Sequence, residues 1–473
     1  MGKKTRNQDV KTKIDSSMFG TESIGKILLH TAPPVMLAQL IQALYNIVDS
    51  YFVGKFSANG LTALSVIFPV QLVITALAIG IGVGVNTLMA RRYAQNESEA
   101  ADKTAGTGLV LTVACWALFT LLAMALLRPY ASMSAQSPEA VELAVLYGRI
   151  CCVGSLGIFM ESVFTKVHQA NGNMALPMAA QIAGALTNIA LDPLLIFGMF
   201  GLPEMGIAGA ATATVCGQFV AMFITGARGF RRPPKRKEMP KIAGRVISLG
   251  CPYTIMNTMC TVYIVALNVI LAGFGDAAVT VLGLYYKMQA FFFIPLLSLS
   301  TCIIPVLSYN YARGSYRRCR AVMRDSVILS LAFMLMGVFC FEVLPSQVIS
   351  IFSREAEVFA VGIPAFRIIG LSFFSAVFSL ITPVFFQAIG AAKVSVAISV
   401  MREIICLIPI FWLLSRLGLG WTLVGVPAFR NHLRRVRPGF VSAPDPPLAG
   451  CVKSQAAEKE FCAAAKTPLT SRY

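Results

Sequence analysis

The sequence predicts an all-α polytopic membrane protein with two six-helix lobes, in which the last helix of the second lobe is missing. Three observations predict this fold class. The chain is strongly apolar, its long apolar runs alternate with basic connections, and its second half repeats the first half at an offset of 218 residues.

Composition places the chain among membrane proteins. Of its 473 residues, 56% are hydrophobic and 13% are charged, and the mean hydropathy is +0.70. Soluble proteins carry about 25% charged residues. The net charge of +18 is compatible with a nucleic-acid partner. The basic residues lie between the apolar runs, however, so we expect a lipid bilayer and no nucleic acid.

Eleven apolar runs reach the length of about 20 residues that a helix needs to cross the hydrocarbon layer. They cover residues 27–50, 61–88, 105–127, 141–168, 174–199, 206–227, 246–272, 279–307, 322–345, 358–387 and 394–416.

Positive charge alternates along the connections between these runs. The N-terminus and the even-numbered connections are basic, and residues 228–245 hold eight positive charges, whereas the odd-numbered connections are poor in Lys and Arg. Basic connections stay in the cytoplasm. We therefore expect a multi-pass protein of the plasma (inner) membrane with a cytoplasmic N-terminus.

The two halves of the chain are related by an internal repeat. At the offset of 218, Pro34 matches Pro252, Tyr45 matches Tyr263, and "QANG" matches "QAIG". Six spans per half give both halves the same topology and an axis along the membrane normal, which suits alternating access. A duplicated scaffold is the alternative. The expected segments are a cytoplasmic stretch (1–25), a first lobe (26–227), a basic linker (228–245), a second lobe (246–425) and a tail (426–473).

Two carboxylates interrupt the apolar runs of the first lobe. Asp49 in "LYNIVDSYFVG" follows Tyr45 by four residues, and Asp192 in "NIALDP" follows Asn188 by four, so each pair shares a helix face. A charged residue at the centre of a membrane helix costs about 2.5–3.5 kcal/mol. Pro193 lacks a backbone donor and frees carbonyl oxygens beside Asp192, which suits cation coordination.

The second lobe keeps Tyr263 opposite Tyr45 but lacks Asp49, Asn188 and Asp192. The matching positions, 218 residues later, are Leu267, Cys406 and Ile410. Carboxylates required by the fold would be expected in both lobes. We therefore interpret the acids as a functional addition to the first lobe. The alternative for either acid is a helix-end residue, or one whose charge a neighbour satisfies.

Four motifs resemble the multidrug and toxic compound extrusion (MATE) family: "PPVMLAQLIQALYNIVDSYFVG", "GLTALSVIFPV", "QANGN" and "TNIALDPLLIFG". The resemblance covers about residues 20–425 and is strongest to the prokaryotic branch related to DNA-damage-inducible protein F. It implies a twelve-helix, two-lobed antiporter that expels amphipathic, often cationic compounds in exchange for H⁺ or Na⁺. No cofactor and no enzymatic activity are expected, and we expect a monomer.

The resemblance also implies a cation-binding site in the first lobe. Tyr45, Asp49, Asn188 and Asp192 match the family's coupling residues, and Asp49, Asn188 and Asp192 would hold the ion if it is Na⁺. A threonine of span six joins this set in the family, and either Thr212 or Thr214 fits. Their oxygens suit H⁺ and Na⁺ equally, so the coupling ion stays open.

Weaker patterns concern the substrate cavity. Glu161 either lines a cavity or pairs with Lys166, and we favour the pair. Gln169, Met288 and Phe292 are further cavity candidates, with lipid-facing packing as the favoured alternative for the last two. The glycines of "GIGVGVN" predict close helix packing. Arg402 and Glu403 are interpreted as a structural charge pair.

The chain departs from its own repeat near Val424. Residues 424–442 should match span six but read "VGVPAFRNHLRRVRPGFVS", which contains no apolar run. Our hypothesis is a shifted reading frame and the loss of the twelfth helix, with a regulatory tail as the alternative. We expect a cation-coupled multidrug antiporter. A flippase for lipid-linked precursors and a truncated, non-transporting product are the other candidates.

Overall fold

The computed structural model describes residues 18–134, 138–201, 203–272, 281, 285, 288–350, 356–401, 404 and 407–416. Throughout these residues the regular secondary structure is helical. The predicted Arg402–Glu403 pair and the tail (426–473) lie outside this part of the chain, so both stay predictions.

The first half folds as six long spans, as predicted. A short helix, α1, precedes them, and the fourth span consists of two helices, α5 and α6, which continue one another across Ser155. The helices are α1 (Met18–Thr21), α2 (Ile24–Phe56), α3 (Ala58–Ala94), α4 (Ser98–Ser134), α5 (Pro138–Gly154), α6 (Leu156–Ala170), α7 (Ala175–Ile196) and α8 (Ile207–Gly229).

The second half repeats this arrangement. Its helices are α9 (Met239–Ala272), α10 (Ile294–Ala312), α11 (Tyr316–Val343), α12 (Pro345–Ser350), α13 (Ala356–Gly370), α14 (Ser372–Ala388), α15 (Ala392–Val400) and α16 (Ile408–Ser415). The chain bends by 50° between α13 and α14. At the offset of 218, Ser155 of the first half matches Phe373, which is two positions from the break at Leu371. The two halves therefore break at nearly the same place. In the described residues, eight helices are long and apolar enough to cross a membrane, or nine if the bent pair is one span.

Arginines are concentrated at one end of the helical bundle, which we call the basic end. There α3, α8 and α10 finish and α4, α9 and α11 begin. Within the predicted linker, the non-helical part is residues 230–238. This segment is held against α4, because Arg231 Nε donates to Asp102 Oδ1 over 2.8 Å.

The two lobes meet where α3 packs against α9 and where α10 packs against α2 and α3. The centre of this seam is formed by glycines. A Cβ at Gly84 would lie 2.1 Å from the carbonyl oxygen of Val246, and one at Gly250 would lie 2.1 Å from that of Gly80. The close helix packing predicted for "GIGVGVN" is therefore confirmed, because only residues without side chains allow the two backbones to approach so closely.

Arginine side chains join the lobes at the basic end. Arg91 Nη2 of the first lobe donates to the carbonyl oxygen of Ala388 over 2.9 Å. Arg313 Nε of the second lobe donates to the carbonyl oxygen of Ala94 over 3.2 Å. Both acceptors lie at helix C-termini, where unpaired carbonyl oxygens and the helix dipole favour a cation.

Candidate functional site

One face of α2 carries polar side chains into the first lobe. Gln42, Tyr45 and Asp49 are spaced by three and four residues, which places them along a single stripe of the helix. Asp49 is only 7% exposed. Its Oδ1 is buried and has no hydrogen-bond partner among the described residues. The carboxylate that the sequence singled out therefore points into the protein.

The facing stripe of α7 carries Asn188 and Asp192. Asp192 is fully buried and Asn188 nearly so. Asn188 Nδ2 lies 3.4 Å from Asp192 Oδ1 and 3.3 Å from Thr214 Oγ1 on α8, and donates to both. The amide group thus joins the carboxylate of one helix to the hydroxyl of the next.

The structure distinguishes the two candidate threonines. Thr214 is buried and accepts the hydrogen bond from Asn188. Thr212 Oγ1 donates instead to the carbonyl oxygen of Ala208 in its own helix over 2.7 Å. Two residues of helix turn through about 200°, so the two side chains face different sides of α8. Only Thr214 belongs to the cluster.

Three buried oxygens in this cluster lack partners among the described residues: Asp49 Oδ1, Asn188 Oδ1 and Asp192 Oδ2. Asp49 and Asp192 are also close enough to interact electrostatically with each other and with Tyr45. Buried acceptor oxygens without a donor are costly, and two like charges in one apolar site disfavour double ionisation. A bound cation or a proton would relieve both effects.

A cavity of about 90 Å³ extends from this cluster between α2, α6, α7 and α8. This volume is below the range of about 300–1,000 Å³ that is usual for sites that enclose a whole drug-sized molecule. The cavity is lined by Gln42, Tyr45, Ile158, Glu161, Gln181, Gly184, Ala185, Asn188, Thr214, Gly217, Gln218 and Ala221.

Three glutamines of this cavity escaped the sequence analysis: Gln42, Gln181 and Gln218. All three carried a usable signal. Gln181 precedes Asn188 by seven residues and Gln42 precedes Asp49 by seven, and seven residues are close to two helical turns. Extending each polar stripe by two turns would have found both. Gln218 lies four residues after Thr214 on α8, so the same rule would have included it.

Glu161 and Lys166, both among the described residues, do not form the predicted direct ion pair, although their charges act on each other at longer range. Glu161 lines the cavity and its Oε1 accepts from Thr165 Oγ1 over 2.6 Å, whereas Lys166 Nζ donates to Gln169 Oε1 over 2.8 Å. Five residues turn a helix through about 140°, so the two side chains leave α6 on different sides. Lys166 packs against Gly82 of α3. The alternative prediction, a cavity-lining Glu161, is the one the structure supports.

Three further cavity candidates lie elsewhere. Gln169 is the buried acceptor of Lys166 near the basic end of α6. Met288 and Phe292 pack against the hydrophobic core of the second lobe, where Phe292 meets the ring of Phe341 edge-on at 5.8 Å. Both side chains therefore pack against this core, which differs from the lipid-facing position that the sequence analysis favoured.

The oxygen atoms of the cluster favour a hard cation or a proton as the bound species. No group of three His, Cys, Asp or Glu side chains that could hold a metal ion occurs in the described residues. A sodium site at Asp49, Asn188 and Asp192 would combine two carboxylates with one amide oxygen. Oxygen ligands of this kind suit hard cations, and the three unpartnered oxygens fit that requirement.

Comparison with known proteins identifies the family. The family model for MatE matches residues 34–194 and again residues 252–413. The two matches begin 218 positions apart and together cover more than half of the chain. The chain belongs to the MATE family. This membership confirms a transporter rather than an enzyme, and the double match confirms the internal repeat.

MATE relatives with curated names include a multidrug exporter and a transporter of FAD. The chain is 22% identical over 428 residues to the multidrug export protein MepA of Staphylococcus saprophyticus, with 86% of this chain and 91% of that protein covered. It is 25% identical over 322 residues to the FAD transporter of Shewanella oneidensis, with 66% of this chain and 70% of that protein covered.

A solved MATE structure shares the fold. The crystal structure of MATE in the bent conformation superposes with a TM-score of 0.84 at 22% identity, covering 93% of this chain and 99% of that chain. At this identity the likeness concerns the fold alone. It confirms the all-α, two-lobed architecture that the repeat predicted.

Proposed function

We propose that the chain is a secondary active antiporter, which exports amphipathic organic cations in exchange for H⁺ or Na⁺. The observation that carries this proposal is the set of three buried, unpartnered oxygens on Asp49, Asn188 and Asp192. Such oxygens would stabilise a small cation or a proton, and their neighbours Tyr45 and Thr214 line the cavity together with Asn188.

Coupling follows from the electrostatics of the site. When the site faces the exterior, Asp49 and Asp192 take up the cation, and their combined negative charge falls. The helices that carry them then repack and substrate is released. When the site faces the cytoplasm, the cation leaves and the charge returns. Alternating access of this kind agrees with two lobes of the same topology that meet along a seam.

The basic end is proposed to lie in the cytoplasm, by the positive-inside rule. In this state the lobes are joined at that end by the glycine seam and by Arg91 and Arg313. The protein is proposed to act as a monomer in the plasma membrane. The acidic cavity does not favour an anionic substrate, such as a lipid-linked phosphate or the dinucleotide FAD.

Proteoliposomes loaded with ethidium test this function. The wild-type protein should release the dye when a proton or a sodium gradient is imposed, and the gradient that works identifies the coupling ion. Asp49→Asn should reduce gradient-driven release at least tenfold, because the amide removes the negative charge that attracts the cation.

The matched control is Asp325→Asn, since Asp325 forms an ion pair with its neighbour Arg324 outside the cavity. This variant should behave as wild type. Undiminished release by a monodisperse Asp49→Asn protein would contradict the assignment of the site.

A further inference from the structure

The turn that joins α10 to α11 forms an open pocket at the basic end. Its volume is about 470 Å³. The pocket is lined by residues of the turn and of the beginning of α11: Gly314, Ser315, Tyr316, Arg317, Arg318 and Arg320. We call it the arginine pocket, because its charged lining residues are all arginines.

The corresponding turn of the first lobe carries the opposite charge. At the offset of 218, Arg317 matches Glu99 and Arg320 matches Asp102. Glu99 is paired with the lysine four residues later on α4. The linker covers the acidic turn, because Arg231 Nε donates to Asp102 Oδ1 over 2.8 Å. In the first lobe, the chain itself therefore supplies the counter-charge.

The arginine pocket keeps positive charge that has no such partner. Arg317 makes no hydrogen bond or ion pair within the part of the chain that the structure describes. Arg318 Nη2 donates to the carbonyl oxygen of Phe19 over 3.0 Å and to that of Glu22 over 2.6 Å. These neutral acceptors hold the guanidinium group in place without cancelling its charge.

The backbone of α11 adds to this positive charge. The dipole of a helix places positive partial charge at its N-terminus, where anions are stabilised and cations are disfavoured. Arg317 and Arg318 lie in the first turn of α11, which contains no acidic residue. Ser315 precedes the helix, and its hydroxyl makes no capping hydrogen bond. Two arginines, a hydroxyl and the N–H groups of a helix start thus face the same space, and all of them favour an anion.

The length of α11 places this pocket in the head-group layer of the membrane. The helix has 28 residues, which corresponds to a length of about 42 Å. The hydrocarbon layer is about 30 Å thick, and a head-group layer of about 5–7 Å covers it on each side. The helix therefore extends beyond the hydrocarbon, and its basic first turns lie among the lipid phosphates at the basic end.

The same face of α11 is apolar further along the helix. Ile328 and Leu335 follow Arg317 by eleven and eighteen residues, which are close to three and five whole turns. Both side chains are exposed at the surface of the bundle. An acyl chain that descends from the arginine pocket would therefore contact them, which favours a lipid over a soluble phosphate as the occupant.

From this geometry we propose that the arginine pocket binds the phosphate group of an anionic phospholipid from the leaflet at the basic end. Arginine presents paired N–H donors that match phosphate oxygens, and basic pockets at the ends of membrane helices bind acidic head groups. The bound lipid supplies in the second lobe the counter-charge that the linker supplies in the first. The site is separate from the acidic cluster, so its existence does not depend on the proposed function.

The test compares two lipids that have the same acyl chains. Phosphatidylglycerol carries a net negative charge, whereas phosphatidylcholine has a choline cation that the arginines would repel. Native mass spectrometry of the purified, delipidated full-length protein gives the dissociation constant of each lipid. The wild-type protein should bind phosphatidylglycerol at least about tenfold more tightly, since hydrogen bonds between charged groups are strong. Inorganic phosphate in large excess should not displace the bound phosphatidylglycerol.

Two variants address the arginines directly. The double variant Arg317→Gln/Arg320→Gln should weaken binding of phosphatidylglycerol about tenfold or more and leave phosphatidylcholine unaffected. Arg317→Glu, which copies the charge of Glu99 in the first lobe, should have a similar effect. It provides a second readout if the double variant fails to fold, because Arg317 has no partner to lose among the described residues. Arg324→Gln is the matched control, since Arg324 lies on the same helix and is paired with Asp325.

The control should match the wild type. Equal binding of the two lipids by the wild-type protein would overturn the proposal, as would an unchanged preference in both the double variant and Arg317→Glu. A loss in Arg324→Gln as large as in the double variant would show that overall charge, and not the pocket, attracts the lipid. Displacement of phosphatidylglycerol by inorganic phosphate would make the pocket a site for soluble anions and would overturn its assignment to a lipid.

Discussion

Replacing Gly250 by alanine should open the seam between the lobes. Gly250 lies on α9 against α3, and a Cβ there would be 2.1 Å from the carbonyl oxygen of Gly80. Carbon and oxygen atoms approach to about 3.3 Å at the closest in ordinary contacts, so the helices would have to separate by about 1 Å. The obstructing atoms belong to the backbone of α3, so no side chain can turn away to make room.

The cost of this clash applies to only one conformation. Overpacking of a close contact destabilises a structure by about 1–3 kcal/mol. Here the penalty arises only when α3 and α9 touch, so it acts on the equilibrium between the joined and separated lobes. A difference of about 1–3 kcal/mol changes this equilibrium about 5–150-fold.

Hydrogen–deuterium exchange measures the change without labelling. Peptides from the halves of α3 and α9 nearest the basic end should exchange faster in Gly250→Ala, because separation of the lobes exposes their amides more often. Gly244→Ala is the matched control, since Gly244 lies on the same helix and a Cβ there meets nothing within 4 Å. Identical exchange in the two variants would refute the description of the seam as a steric limit.

Three further predictions concern single contacts. Thr214→Val should reduce coupled transport about 5–150-fold, because it removes the hydroxyl that accepts the hydrogen bond from Asn188. Thr212→Val should leave transport unchanged, since Thr212 bonds only within its own helix. Ethidium release from proteoliposomes measures both variants. Arg91→Ala should destabilise the joined state of the lobes by about 1.5–3 kcal/mol, because it removes the hydrogen bond to the Ala388 carbonyl oxygen. Hydrogen–deuterium exchange at the basic end should then be faster. Arg324→Ala, at an exposed site, should leave this exchange unchanged. Gly206→Ala should lower the free energy of unfolding by about 1–3 kcal/mol and lower the thermal midpoint. Gly206 has φ +54°, and a Cβ there would meet the ring of Phe56. An unchanged midpoint would contradict this prediction.

Most of the fold prediction was based on the internal repeat. It gave six spans per half and a common topology, and the family matches at residues 34 and 252 agree with it. The breaks at Ser155 and Leu371 were not predicted, although Gly154 and Gly370 directly precede them. The apolar runs continue through both breaks, and hydropathy does not register a change of helix direction.

The site was predicted as far as spacing along single helices allows. Residues four apart share a face in any α-helix, so Tyr45 with Asp49 and Asn188 with Asp192 could be paired before the fold was known. The same helical geometry explains why the predicted direct pairing of Glu161 with Lys166 failed. A spacing of five residues does not return to the same face.

By itself, the sequence determined which segments lie in lipid, that one topology is repeated in both halves, and that the acids are confined to one lobe. Hydropathy, charge and internal similarity are properties of the chain alone. Only the tertiary structure decided that Thr214 and not Thr212 meets Asn188, that Glu161 faces the cavity, and that three oxygens lack donors. These facts depend on how α2, α6, α7 and α8 pack against one another. Distances between helices arise from packing, and residue spacing within a helix does not encode them.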